Sequence, residues 1–260
     1  MLFINTRPHD RAQALTAYLS EAQLNVIELP LLELKACEWN SSLASLYQQL
    51  HLAQVIVVVS PMAVEVGMRY LIQQNVELKS LSHIQWVAVG KTTAKALSEY
   101  GIDSLVPEVE TSEGMLSLDV FNHLQAGQKI AFWRGEGGRQ FMMNQCQEQH
   151  IEIMNFILYE RYLPEETYHK FKENLPLLDM SQKPIWTCIS SEASWKNWLE
   201  ITKNHYAMVE NCHYLVLGDR LYELLLREKQ QYKLEFNVTK VDQLNPKTIL
   251  AQIEHLTRSL

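Results

Sequence analysis

Four cysteines in 260 residues, Cys37, Cys146, Cys188 and Cys212, stand far apart with no C-x-x-C pair. Such scattering excludes a disulfide framework and reads as buried free thiols in a reducing compartment. No stretch approaches the roughly 18 uninterrupted apolar residues of a membrane span. The opening Met1-Leu2-Phe3-Ile4-Asn5-Thr6-Arg7-Pro8 lacks the basic region and long apolar core of a signal peptide. A cytoplasmic location is therefore expected. Positive charge is also in short supply: 23 Lys and Arg face 30 Asp and Glu, a net charge of −7. That balance argues against nucleic acid or an anionic membrane as a partner. An anionic ligand would have to be held by local positive features.

Several catalytic signatures are absent as well. There is no G-x-S-x-G elbow of a hydrolase. The nine histidines show no H-E-x-x-H or other ligand spacing, so no metal is expected. His123, His150, His205 and His213 occur singly and read as surface or cap residues. The P-loop spacing is missing, and a G-x-G-x-x-G fingerprint fails after Gly137. No cofactor is expected.

What is present is the alternation of an α/β protein. Hydrophobic residues make up 47% and charged residues 20%, a globular composition. The length suits two α/β domains of about 130 residues each. Apolar runs predict strands at 2–6, 25–29, 55–60, 86–90, 104–106, 129–133, 152–159, 185–190, 214–218 and 234–239. Val55-Ile56-Val57-Val58-Val59 is apolar on consecutive residues, as a parallel strand covered on both faces requires. Amphipathic stretches predict helices at 11–22, 63–74, 92–100, 138–149, 192–203 and 220–228, with a last one opening at Asn245-Pro246.

The order of these units contains a weak repeat. Residues 2–7, a helix, then 26–29 resemble 130–134, a helix, then 153–159. Val57-Val58-Val59-Ser60-Pro61-Met62-Ala63 resembles Thr187-Cys188-Ile189-Ser190-Ser191-Glu192-Ala193, and Trp86-Val87-Ala88-Val89-Gly90-Lys91 resembles Tyr214-Leu215-Val216-Leu217-Gly218-Asp219. Each set supplies five strands, but one set is split between the two ends of the chain. The simplest topology inserts one parallel-sheet domain in the other: residues 1–34 plus 166–260 as a discontinuous domain, 38–160 as the insert, and 35–37 and 161–165 as linkers. A cleft between the domains is the expected ligand site. The residues to inspect stand beyond the carboxyl ends of the strands.

Arg134-Gly135-Glu136-Gly137-Gly138-Arg139 is the most informative of these strand ends. Its glycines let backbone approach a ligand, a helix start follows, and two arginines flank the turn, a combination suited to carboxylates or phosphates. The plainer alternative is a tight turn with two solvated arginines. Gly90-Lys91-Thr92-Thr93 also joins strand to helix, and either threonine could cap the helix or meet a carboxylate. Ser60 before Pro61 reads as a helix cap and a candidate anion contact, and Thr6-Arg7-Pro8 follows the same logic. Ser190-Ser191 and Gly218-Asp219-Arg220 complete the candidate set. Tyr159 ends an apolar strand at the proposed crossing, where it is either a packing residue or a hydrogen-bond and proton donor.

Taken in order, Thr6-Arg7-Pro8, Ser60-Pro61-Met62-Ala63-Val64, Val89-Gly90-Lys91-Thr92-Thr93-Ala94, Thr111-Ser112-Glu113-Gly114, Arg134-Gly135-Glu136-Gly137-Gly138-Arg139 and Leu158-Tyr159-Glu160-Arg161 resemble the uroporphyrinogen-III synthase family. The likeness is specific to about residue 161. It continues more weakly through Ser190-Ser191-Glu192-Ala193 and Leu217-Gly218-Asp219-Arg220-Leu221, and Val59 stands where the family usually has threonine. The resemblance implies two flavodoxin-like domains joined by a two-strand linker. It also implies a cofactor-free lyase that cyclises hydroxymethylbilane to uroporphyrinogen III, with loss of water and inversion of the terminal pyrrole. Arg7, Ser60, Lys91, Thr92, Thr93, Arg134, Gly137, Gly138, Arg139, Ser190, Ser191 and Arg220 would then meet the substrate. Tyr159 matches the family's linker tyrosine, the proposed acid; a phenol, with an ordinary pKa of about 10, can donate a proton at neutral pH. A monomer is expected, with transient contact to hydroxymethylbilane synthase as its macromolecular partner. Two other readings stay open at this point: a non-catalytic two-domain ligand-binding protein and a flavin-binding electron carrier.

Overall fold

The computed structural model describes residues 1–137 and 140–258. The chain divides into two compact units, Met1–Glu33 with Tyr162–Leu260, and Leu34–Arg161. It opens with β1 (Leu2–Asn5), α1 (His9–Glu21) and β2 (Asn25–Glu28). The second unit then follows whole: β3 (Glu33–Ala36), α2 (Ser41–Gln49), β4 (Ala53–Val58), α3 (Pro61–Gln73), β5 (Gln85–Ala88), α4 (Lys91–Ser98), α5 (Ser112–Leu116), α6 (Asp119–Asn122), β6 (Lys129–Gly135), α7 (Phe141–Glu148) and β7 (Glu152–Tyr162). The chain returns to the first unit through α8 (Glu165–Met180), β8 (Ile185–Ile189), α9 (Glu192–Ile201), α10 (Tyr206–Glu210), β9 (Cys212–Leu217), α11 (Gly218–Tyr232), β10 (Asn237–Val241) and α12 (Pro246–Thr257).

Each unit carries one five-stranded sheet. The first runs β2-β1-β8-β9-β10, all parallel, which is the flavodoxin-like order once its strands are counted in sequence. The second runs β3-β7-β6-β4-β5, with β7, β6, β4 and β5 parallel. Read side by side, the orders match β2 with β7, β1 with β6, β8 with β4 and β9 with β5, the pairing that the sequence repeat implies. The place of β10 is taken in the second unit by Leu105, a single parallel bridge to Val87 in place of the expected strand 104–106. The segments read as linkers carry strand: β3 takes in residues 35–36, and β7 runs on to Tyr162 before α8.

Both sheets are buried on both faces, as their apolar runs require. In the second unit α2, α3 and α4 cover one face around Val58, Leu71 and Trp133, while α5, α6 and α7 cover the other around Val57, Phe132 and Met142. In the first unit α8 to α11 pack around Trp195, Trp198 and Tyr214, and α1 and α12 around Phe3, Leu15 and Ile253. The caps follow local chemistry: Ser60, Ser191 and Asn245 accept the N–H of Ala63, Ser194 and Thr248 at 3.1, 3.1 and 2.9 Å. Ends buried by the insertion are tied inside their own unit. Thr167 donates to Pro30 O at 2.8 Å, and Cys37 N donates to Leu158 O at 2.9 Å.

Some expectations are corrected. The strand expected at 234–239 is Asn237–Val241, because α11 runs to Tyr232 and ends through Lys233 at φ 53° with Leu234 N bonded to Lys229 O. Helices α2, α5, α6, α8 and α10 add to the expected set; α8 contains Pro176, a residue that argues against helix locally. His213 is not a surface residue. It lies on β9, 7% exposed and stacked on Trp186 at 4.5 Å, and burial lowers its pKa to about 4. Cys37 is half-buried; Cys146, Cys188 and Cys212 are buried free thiols.

Candidate functional site

In the Leu34–Arg161 unit the strand ends converge around Tyr159. Along β6 and β7 the register runs regularly to Arg134 opposite Ile157, then slips so that Gly135 faces Tyr159. This extra residue on β7 is a β-bulge, which re-aims the side chain that follows it. The Tyr159 ring then lies where a Cβ on Gly135 would sit, 2.3 Å from that position, so only glycine admits it. The residue is 2% exposed. From β4, Ser60 accepts Ala63 N–H and donates its own hydroxyl to Tyr159 Oη at 3.1 Å. Tyr159 Oη is thereby an acceptor from Ser60, and its own proton remains available to a ligand.

Tyr159 borders a pocket with a cavity volume of about 110 Å³, walled by Phe132, Met115, Met142 and Met143. Arg134 reaches it from β6, 4% exposed, with Nη1 3.5 Å from Met143 Sδ. Burial lowers the Arg134 pKa; Tyr159 opposes that shift and the charge of Arg161 adds to it. Arg161 stands with its guanidinium carbon 5.6 Å from the Tyr159 ring centroid and donates to Glu136 O at 3.0 Å.

The start of α4 is arranged differently from expectation. Its cap is Gly90, with no side-chain cap bond from either threonine. The Glu110 carboxylate accepts Lys91 N–H at 3.0 Å and lies 2.3 Å from where a Gly90 Cβ would be. An internal anion thus holds the helix end at which a ligand carboxylate was expected. Lys91 and Thr92 are exposed, but Thr93 is 1% exposed and its hydroxyl faces the interior without a partner among the described residues, so the Thr93 side chain is withdrawn from the candidate set.

In the other unit Ser190, Ser191 and Arg220 do come together, with Arg227, around an open pocket of about 380 Å³. Arg220 is exposed and pairs with Glu192 at 3.3 Å. Ser191 is committed to capping α9 and to Ser194 Oγ at 2.8 Å, which leaves the Ser190 hydroxyl as the freer group. Arg7, half-buried after β1, donates Nη1 to Leu244 O at 3.0 Å.

The sequence family described as uroporphyrinogen-III synthase HemD matches residues 13–241. The chain belongs to the uroporphyrinogen-III synthase family. This places it among enzymes of tetrapyrrole biosynthesis. Solved structures of the family share its fold. A mutant uroporphyrinogen III synthase from the extremely thermophilic bacterium Thermus thermophilus matches with a TM-score of 0.66 at 13% identity, over 100% of both chains. Uroporphyrinogen-III synthetase from Helicobacter pylori matches at 0.60 and 15% identity, over 98% of this chain and 100% of that one.

Within this family member, Ser60, Arg134 and Tyr159 share one neighbourhood, and Ser190, Ser191 and Arg220 another. Gly137 adopts φ 67°, the left-handed conformation its residue type allows. Gly138 and Arg139 lie outside the described residues, and α7 starts only at Phe141. Arg161, Ser112 and Arg227 line the pockets outside the expected set of substrate contacts, although Ser112 and Arg161 stand in the family-like motifs at 111–114 and 158–161. Arg161 was within reach of sequence reasoning, since it directly follows Tyr159-Glu160. Arg227, more than two helical turns beyond the end of β9, carried no local signal. No helix is long and apolar enough to cross a membrane, and no cluster of three metal-binding side chains occurs among the described residues.

Proposed function

We propose that the chain is a hydro-lyase that cyclises hydroxymethylbilane to uroporphyrinogen III, using Tyr159 as the acid that assists departure of the hydroxyl. Family membership supports the reaction; the Ser60–Tyr159 hydrogen bond at 3.1 Å carries the assignment of the acid. Ser60 donates to the phenol oxygen and so stabilises the negative charge that grows there as the proton leaves. Arg134 and Arg161 supply positive charge on the same side.

The Tyr159 proton passes to the terminal hydroxyl, the carbon–oxygen bond breaks, and water departs to leave an azafulvene. The far terminal pyrrole attacks through its substituted carbon to form a spiro intermediate, which fragments and recloses with that ring inverted. Rearomatisation returns a proton to the phenolate, so one water is lost and no electron is exchanged. Strand-end groups of each unit, Arg7, Lys91 and Thr92, Arg134, Gly137 to Arg139, Ser190, Ser191 and Arg220, would hold the carboxylate arms. Most of the acceleration would come from holding the reacting ends together. The same reading carries a monomer acting in the cytoplasm, with transient contact to hydroxymethylbilane synthase.

The test is isomer analysis on freshly generated hydroxymethylbilane, with spontaneous isomer I subtracted. Wild type forms isomer III, and continues to do so after chelation and desalting. Tyr159→Phe lowers turnover by about 10²-fold, the scale of general acid assistance. Product that stays isomer I defeats the reaction; unchanged turnover in Tyr159→Phe defeats the acid.

A further inference from the structure

Asn5 ends β1 as a fully buried amide on an otherwise apolar strand. Burying an amide is costly unless its hydrogen bonds are met. Here both its donor and its acceptor sides are used. Nδ2 donates to Ala12 O of α1 at 3.0 Å and to Thr16 Oγ1 at 2.9 Å, and Thr16 in turn donates to Glu28 Oε1 at 2.5 Å. Oδ1 accepts the Arg7 N–H at 3.3 Å and the Cys188 thiol at 3.8 Å. Filling the space does not by itself call for this residue. β6, the counterpart of β1 in the repeat, packs Phe132 in one apolar cluster with Met142, Met143 and Cys146 of the helix that follows it. What an amide adds over an apolar side chain is a hold on the turn beyond the strand.

That turn carries Thr6 and Arg7. The Thr6 hydroxyl donates to Cys188 O of β8, so the turn is fastened to the neighbouring strand as well as to α1. Arg7 leaves it half-buried, with Nη1 on Leu244 O at 3.0 Å. A buried polar network whose members are all satisfied is stiff, and it fixes one arrangement of its groups. We infer that Asn5 is a positioning residue: through the Arg7 backbone it sets where the Arg7 guanidinium stands, and so how tightly a substrate carboxylate is held at the end of β1. The inference rests on the proposed function, in which Arg7 meets a carboxylate arm, and adds the residue that aims it. Asn5 itself is buried beneath the turn and touches no substrate.

The test combines steady-state isomer III formation from freshly generated hydroxymethylbilane with amide hydrogen exchange at Arg7, read by NMR on the whole chain. Asn5→Leu, close in volume, is expected to raise KM about fivefold with little change in kcat, the pattern of lost ground-state binding. The Arg7 amide should exchange at least about tenfold faster in that variant, as it loses its acceptor. Arg7→Ala alone should raise KM by about tenfold or more. If Asn5 acts through Arg7, the double variant has the KM of Arg7→Ala and no worse, whereas a merely structural role multiplies the two effects. Thr16→Val, at a half-buried position, reads the same network if Asn5→Leu fails to fold, with a rise in KM of about twofold. Unchanged KM in these variants, or multiplying effects in the double variant, overturns the inference. Wild type that yields only isomer I defeats the proposed reaction instead; the Arg7 amide, read without substrate, still tests the hold, and unchanged exchange in Asn5→Leu overturns it.

Discussion

Eight of the nine glycines lie in the Leu34–Arg161 unit and one, Gly218, in the other, although the two units have almost the same length and corresponding strand orders. The glycine-rich unit packs its aromatic residues by close approach. Gly67 of α3 lies so near Trp133 that a Cβ would fall 2.2 Å from the ring, and Gly135 makes the same room for Tyr159. Trp133 Nε1 has no partner among the described residues. In the other unit the buried tryptophans of α9 are themselves hydrogen-bonded: Trp195 Nε1 to Glu228 at 2.6 Å and Trp198 Nε1 to Tyr214 Oη at 2.7 Å, with Tyr214 Oη donating in turn to Val209 O at 2.9 Å. The candidate sites differ in parallel. One is a small apolar pocket with a buried arginine; the other is an open, polar one with exposed arginines. One strand order therefore supports two kinds of interior, and the kind of interior sets the kind of site.

The broadest way to break this comparison is to separate the units. We propose that residues 38–160 form an autonomous domain, since the hydrogen bond from Cys37 N, the residue just before the segment, to Leu158 O shows that its two ends lie close together. That segment alone should unfold cooperatively in denaturant, whereas two halves cut near the chain's midpoint should not fold. Two independently folding halves would refute the inserted arrangement.

Gly67→Ala tests packing by close approach. A methyl cannot enter beside Trp133 without moving a buried indole, so a loss of about 3 kcal/mol or more is expected in urea unfolding. Trp198→Phe, which deletes a hydrogen bond in the other unit and leaves Tyr214 bonded to Val209, should cost about 1–2 kcal/mol. A reversed order would mean that the two interiors are built alike.

Acid should weaken the Met1–Glu33 and Tyr162–Leu260 unit through His213. Burial holds its pKa at about 4 against an ordinary 6.5, so between those values the unfolded chain binds a proton that the folded chain refuses. Stability is thus full above pH 6.5 and falls as the pH drops toward 4, by at most about 3 kcal/mol. His213→Phe keeps a ring on Trp186 and should flatten that part of the profile. An unchanged slope between pH 6.5 and 4 would assign the acid sensitivity to other groups.

The smallest effects concern single surface charges. Glu110→Gln removes the charge seated on α4 and should cost about 1 kcal/mol of stability. In exchange, it should strengthen substrate binding if Lys91 and Thr92 meet a carboxylate, visible as a lower KM with little change in kcat. Arg220→Ala breaks only an exposed ion pair with Glu192 and should leave stability within about 0.5 kcal/mol of wild type. A KM that rises in Glu110→Gln would show that Glu110 supports the site rather than occupying it.

Much of this molecule was legible residue by residue. Alternating apolar and amphipathic runs located most strands and helices, because burial on both faces of a sheet demands them. Ser60 and Asn245 announced their helices, because a cap is chemistry between residues three apart. The repeat, too, was readable from local runs, and the family from the order of short motifs. What only the tertiary structure decided are relations between residues distant in sequence. The bulge that turns Tyr159 onto Gly135 depends on the register between β6 and β7. Glu110 reaches α4 from 19 residues away. Arg134 and Arg161 converge on one pocket from neighbouring strands, and His213 is buried because Trp186 of β8 stacks on it. None of these leaves a mark on its own neighbours in the chain, because each is set by how strands pair and faces pack, free energies that no short stretch of sequence contains.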